Sequence, residues 1–148
     1  IVDNYDLFFI DLWGVIHNGI ELYKSSIEVL NELTKINKEY ILLTNAPRPN
    51  VNVRNFIEKM GVNKKISSKV YTSGEAALDY LSANFKEKKF FHIGPPRDFS
   101  LFETFKKNKI NDLNQAEYLL CTGLYDQYDQ EIKRRTFEAH QKAETIND

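Results

Sequence analysis

Short apolar runs alternate along the chain with longer stretches of helical spacing. Leu7 to Leu12 is apolar without strict alternation, the pattern of a strand covered on both faces of a parallel sheet. Gly14 ends it, and His17-Asn18-Gly19 is a turn signal. From Ser25 to Lys35, Ile27, Leu30, Leu33 and Thr34 fall near one face, which predicts a helix with Ser25 or Ser26 as N-cap and Glu28 in the first turn. Tyr40 to Thr44 predicts a second buried strand, closed by Asn45-Ala46-Pro47-Arg48-Pro49, whose prolines forbid its continuation. Pro49 suits the first turn of the next helix.

In that helix Val53, Phe56, Ile57 and Met60 recur at helical spacing, and Gly61 is a natural residue just past its end. Ile66 to Tyr71 is compatible with a short strand. Thr72-Ser73-Gly74-Glu75 then offers a hydroxyl cap and first-turn acid to a helix carrying Ala76, Ala77, Leu78 and Leu81. Lys89 to Ile93 reads as a strand closed by Gly94-Pro95-Pro96, Phe99 to Lys107 as a helix, Tyr118 to Cys121 as a strand and about Asp129 to Thr145 as a charged helix. Strand and helix alternate throughout, so the expected class is α/β with a parallel sheet. No internal repeat or low-complexity segment interrupts it. Charge density rises at Lys86-Glu87-Lys88-Lys89, the best candidate boundary, with a solvated loop as the ordinary alternative.

Composition narrows the partners. A chain of 148 residues can bury a real core, since a domain near this size removes roughly 70% of its unfolded surface from water. A net charge of -1 gives no electrostatic reason to expect nucleic acid or an anionic membrane, so any anion must be bound locally. Cys121 is the only cysteine, which excludes an intrachain disulfide and a cysteine metal cluster and fits the cytoplasm; Leu119-Leu120 beside it suggests a buried thiol. No apolar stretch approaches the ~20 residues of a membrane span. The chain begins without methionine and stops inside a polar helical pattern, so it reads as a portion of something longer. A sheet broken there would expose an unpaired edge, which favours association, as in a homo-oligomer, or instability.

Candidate chemistry sits at two strand ends. Open parallel sheets bind ligands beyond the carboxyl ends of their strands, where Asp11 and Thr44 stand. A carboxylate there can attack phosphorus, provided a cation and backbone amides neutralise the incoming phosphate. Thr44 supplies a hydroxyl, and amides around Asn45 and Trp13-Gly14 could complete an anion-binding hollow. Either motif alone is ordinary, since Asp at a strand end commonly caps a loop; the two together are informative. Arg48 is a candidate contact for substrate phosphate, with a solvated arginine as the alternative. His17, His92 and His140 lack metal-ligand spacing, and His92 reads as a strand-core residue. Asp126 and Asp129 read as loop and cap, and Lys133-Arg134-Arg135 as a solvated helix face.

The pair Phe9-Ile10-Asp11-Leu12-Trp13-Gly14-Val15 and Leu42-Leu43-Thr44-Asn45-Ala46-Pro47-Arg48 resembles motifs I and II of the haloacid dehalogenase (HAD) superfamily, class IIA (NagD-like) sugar-phosphatase branch. Asn18-Gly19, the helix at Ser25 and Tyr71-Thr72-Ser73-Gly74-Glu75-Ala76-Ala77 are similar to that branch as well. The resemblance implies a Rossmann-like core over residues 1–87 and the first half of an inserted α/β cap over 88–148, with Gly94 and Gly123-Leu124-Tyr125-Asp126 at cap strand ends. It implies Asp11 as nucleophile and Mg²⁺ ligand, the backbone carbonyl of Trp13 as second ligand, and Thr44 and Asn45 as holders of the phosphoryl group. The substrate would be a small phosphorylated metabolite.

Two features depart from that pattern. Active phosphatases of the superfamily carry a second Asp, the general acid and base, where this chain has Trp13. Losing such a group typically costs 10²- to 10⁴-fold. The family's third motif, a lysine, and its fourth, an acidic pair that completes the Mg²⁺ site, have no counterpart here. The expectations are therefore a Mg²⁺-dependent phosphoryl-transfer fold with the chain itself inactive, or a weak or inactive phosphate-ligand or protein-binding member. A receiver- or flavodoxin-like domain also puts carboxylates at strand ends, but predicts one closed sheet and no second lobe near Lys88.

Overall fold

The computed structural model describes residues 2–125 and residue 127. The chain divides into two compact units, Ile1–Lys86 and Glu87–Asp148. The first contains β1 (Leu7–Asp11), α1 (Lys24–Lys35), β2 (Glu39–Thr44), α2 (Asn50–Lys59), α3 (Lys64–Ser67), β3 (Val70–Thr72) and α4 (Ser73–Asn84), after a short 3₁₀ turn at Val2–Asn4. Its sheet runs β1-β2-β3 with both pairings parallel. Asp11 stands opposite Leu43, and Thr44 opposite Thr72, so the strand ends are level.

One face of this sheet carries the core. Tyr40, Leu42 and Val70 point inward and pack with Leu30 and Leu33 of α1, Ile57 of α2 and Ile66 of α3, while Phe8 and Ile10 of β1 lie against the same cluster. Each fully buried aliphatic side chain contributes about 1.5–3 kcal/mol, so the helices are held by the stripe that their spacing announced. The other face corrects the expectation of strands covered on both sides. Leu7, Phe9, Asp11, Leu43 and Tyr71 are exposed, because a period of two sends alternate residues outward and, among the described residues, no helix covers them.

Local rules failed in three places in this unit. Helix α1 starts at Lys24, and Tyr23 occupies the N-cap position without a side-chain cap; the hydroxyl of Ser26 instead donates to the carbonyl of Val15 at 2.6 Å. Glu28 accordingly falls beyond the first turn. Pro49 lies at the N-cap of α2, one residue earlier than expected. The apolar signal at Ile66 belongs to α3: the Asn63 side chain accepts from the Ile66 amide at 3.0 Å and caps a helical turn, leaving only Val70–Thr72 as strand. The end of α2 follows the rule, with Gly61 at φ +107° and its amide donating to the Glu58 carbonyl.

The second unit has β4 (Phe90–Ile93), a 3₁₀ segment over Pro96–Asn108 interrupted at Phe102, β5 (Lys109–Ile110), a 3₁₀ turn at Leu113–Gln115 and β6 (Tyr118–Cys121). Its sheet runs β5-β4-β6, all parallel. Phe90 is buried against Phe102 and stacks on Tyr118, with ring centroids 5.5 Å apart in both pairs. His92 is buried, as read from the sequence, and its Nε2 lies 2.9 Å from the Thr122 hydroxyl. Cys121 is exposed, which corrects the expectation of a buried thiol: alternation puts it on the outward side of β6 with Leu119. The expected helix at 129–145, with Asp126, Asp129, Lys133–Arg135 and His140, lies outside the described residues. Among those described, no helix is long and apolar enough to cross a membrane.

Candidate functional site

Strand β1 delivers Asp11 to the carboxyl end of the sheet, and a tight turn follows at once. The Leu12 carbonyl accepts from the amides of Ile16 (2.8 Å) and His17 (3.2 Å), while Gly14, at φ +76°, donates its own amide to the His17 carbonyl at 2.8 Å. The Gly14 amide is thus committed inside the turn. The same bonds bypass Trp13: among the described residues no donor reaches its carbonyl oxygen, and none reaches the Asp11 carboxylate. The turn also carries the Trp13 indole across Gly19.

Strand β2 delivers Thr44 beside it. Thr44 is buried and its Oγ1 accepts from the Ala46 amide at 3.3 Å; Asn45 and Arg48 are exposed. The loop after Thr44 is pinned by the start of α4. The Ala46 carbonyl accepts from the Gly74 amide (3.1 Å) and the Ser73 hydroxyl (3.0 Å), and the Thr72 hydroxyl donates to the Arg48 carbonyl. The Asn50 side chain accepts from the Thr72 amide at 2.9 Å, and the Asn50 amide donates to Glu75 at 2.7 Å. A Cβ on Gly74 would stand 2.3 Å from the Arg48 nitrogen, so only glycine lets the helix approach this closely. The sequence offers a hydroxyl cap within Thr72-Ser73-Gly74-Glu75, and the 2.9 Å bond from the Glu75 amide to Thr72 Oγ1 puts it at Thr72. The sequence does not connect that cap to the Thr44 loop, because the contact is between segments far apart in sequence.

Two hollows meet at Thr44 and Asn45. One, of about 340 Å³, runs over Asp11, Phe9 and Leu43. The other, of about 370 Å³, is walled by Trp13, His17, Phe56 and Arg48. Trp13 meets His17 edge to face at 5.5 Å, and His17 meets Phe56 in the same way at 5.6 Å. His17 Nδ1 accepts from the Gly19 amide at 3.0 Å, so the neutral ring carries its proton on Nε2. Burial pushes this imidazole below its usual value, and the Asp11 carboxylate pulls the other way. Neither His17 nor Phe56 stands out as a site residue in the sequence: His17 falls in a turn signal and lacks metal-ligand spacing, and Phe56 reads as helix core.

Among the described residues, no three histidine, cysteine or acidic side chains gather as a metal site. Mg²⁺ is bound in many enzymes by one or two carboxylates, with water and substrate phosphate completing six oxygens. The Asp11 carboxylate and the unengaged Trp13 carbonyl fit that chemistry in kind and supply part of the set.

A model of the haloacid dehalogenase-like hydrolase family matches residues 8–106, which include both strand-end motifs. The chain belongs to this family. Its fold is similar to that of a haloacid dehalogenase-like hydrolase from Brucella suis, at 30% identity and a TM-score of 0.73 over 90% of this chain and 52% of that one. It is also similar in fold to NagD from E. coli (24% identity, TM-score 0.58, 78% of this chain and 45% of that one). A glycerol phosphate phosphatase from Mycobacterium tuberculosis, solved in complex with magnesium, gives 16% identity and a TM-score of 0.61 over 84% of this chain and 38% of that one. The chain spans about half the length of the first two of these hydrolases. No curated protein matches it.

Proposed function

We propose that this HAD-like chain carries the nucleophile and phosphate-holding part of a phosphoryl-transfer site acting on a small phosphorylated metabolite. The observation that supports it is the level placement of Asp11 and Thr44 at adjacent strand ends, with the loop from Asn45 braced by α4. Residues 1–87 are read as part of the family's core and 88–148 as the first half of its cap, in a cytoplasmic protein.

In this reading an Asp11 oxygen forms a bond to phosphorus as the ester P–O bond breaks, and the leaving oxygen takes a proton from solvent. Water then releases phosphate from the aspartyl-phosphate and regenerates the carboxylate. The Thr44 hydroxyl and Asn45 hold the phosphoryl oxygens, and Arg48, which lines the adjoining hollow, is read as a contact for substrate phosphate. Gly14 serves by shaping the turn. Asp11 and the Trp13 carbonyl would hold Mg²⁺, which would neutralise phosphate charge when bound. The indole of Trp13 has no proton to exchange near neutrality, so the general acid–base step is slow; the loss is of order 10²- to 10⁴-fold.

Mg²⁺-dependent phosphate release from a metabolite panel, measured on the complete gene product, is expected to exceed that of Asp11→Asn. Equal release would sink the reading. Trp13→Asp should raise turnover or change its pH profile, and no change would remove that position from the proton path. Trp13 also favours a second reading, a member that holds phosphate without turning it over. Orthovanadate would then raise the melting temperature while the panel gave no release.

A further inference from the structure

We infer that Asn18-Gly19 is a self-modifying site: its turn holds the groups that convert the Asn18 side chain into a cyclic imide and then into an aspartyl or isoaspartyl residue, a change that unseats the Trp13 indole. The inference goes beyond the phosphoryl-transfer reading and does not depend on it. Acyl transfer needs a nucleophile beside a base, and donors aimed at the oxygen that gathers charge. This turn supplies all of them within one short segment.

The Gly19 nitrogen is the nucleophile. Its N–H donates to His17 Nδ1 at 3.0 Å, and that nitrogen is the basic one of the neutral ring. The carbonyl under attack belongs to the Asn18 side chain. Its Oδ1 accepts from the amides of Ile20 and Glu21, each at 2.9 Å, inside the roughly 2.7–3.1 Å at which such donors stabilise a developing oxyanion. The Asn18 amide donates to the Glu21 carbonyl at 3.2 Å, so the turn is tied at both ends. Gly19 has no Cβ to obstruct the approach, and it stands at φ +91°, a conformation that a side chain would strain. Asn18 and Gly19 are both half-buried, so water reaches the product.

In the first step the Gly19 nitrogen bonds to Asn18 Cγ, charge collects on Oδ1, and the Gly19 proton passes to His17 Nδ1. The Cγ–Nδ2 bond then breaks, and Nδ2 leaves as ammonia with that proton. Water opens the imide at either carbonyl to give an aspartyl or an isoaspartyl residue, and no oxidant or reductant takes part. The isoaspartyl link inserts Cβ into the main chain. Gly19 is thereby displaced from beneath Trp13, whose Cη2 lies 2.5 Å from where a Gly19 Cβ would stand. The same hydrogen bonds would also suit a turn that merely keeps its shape; a His17 that acts as a base separates the two cases.

The test incubates the complete gene product under native, neutral conditions and follows Asn18 by peptide mapping that resolves Asn, Asp and isoAsp. Product is expected to accumulate faster than in a synthetic peptide of residues 14–23, which lacks the fold. Slower accumulation in the folded protein, or none, overturns the inference, and this comparison needs no substitution. His17→Asn keeps an acceptor for the Gly19 amide but removes the base. It should lower the initial rate at least tenfold, since a general base contributes about 10²- to 10⁴-fold. An equal rate in that variant, with circular dichroism showing it folded, overturns the role of His17. The part of the emission that Trp13→Phe removes should shift in step with the isoaspartyl fraction. Unchanged emission from converted protein overturns the unseating of the indole.

Discussion

Single residues decide how the turn after Asp11 is used. Gly19 is the clearest case, since it accepts both a positive φ and the indole of Trp13 lying directly on it. Gly19→Ala should force the ring away from the hollow. Trp13 is the only tryptophan of the 148-residue chain, so its emission reports the change: a shifted maximum and altered quenching by acrylamide are expected. An unchanged spectrum would mean that the indole is not held there. The sequence marked Gly19 as a turn residue because Asn18-Gly19 is a local signal. It could not mark Gly19 as a seat for Trp13, because that contact depends on the path of the chain between them. Asp11 and Thr44 were legible for the opposite reason: each ends an apolar run, and position at a strand end is a local property.

At the scale of elements, the start of α4 acts as a brace for the loop after Thr44. Thr72 has two tasks there, as its hydroxyl oxygen accepts from the Glu75 amide while its proton goes to the Arg48 carbonyl. Loss of an N-cap hydroxyl costs about 1 kcal/mol, and the second bond adds a similar amount. Thr72→Ala should therefore lower the melting temperature by several degrees and weaken binding of inorganic phosphate, whereas Thr72→Ser should restore most of both. A variant that melts earlier but binds phosphate unchanged would separate the cap from the site. The cap itself is readable in the sequence. The short helix at Lys64–Ser67 is not, since a brief apolar run fits a strand or a buried turn equally well and only the folded turn brings the Asn63 side chain onto the Ile66 amide. The two-residue strand Lys109–Ile110 was illegible for a related reason: its pairing with Phe90 and Phe91 defines it, and its own pattern does not.

At the scale of the molecule, unit 1 has one dressed sheet face and one that is bare among the described residues. Phe9 is 65% exposed on the bare face, opposite Ile41 and one pair below the row Asp11, Leu43 and Tyr71. An apolar sheet face of this kind tends to find a cover. In the 148-residue chain, Phe9→Lys should reduce concentration-dependent association in sedimentation velocity while leaving the melting temperature within a few degrees. Association that persists unchanged would assign it to another surface.

Local spacing and contiguous motifs are enough to write out the main alternation of strand and helix in unit 1, the parallel α/β class, both strand-end motifs and the HAD-like family. Packing between remote segments settles which sheet face is covered, that the Gly14 amide is spent within its own turn, that α4 braces the Thr44 loop, and that Trp13, His17 and Phe56 form one wall. Those outcomes depend on distances between segments remote in sequence, and the packing of the whole unit sets them.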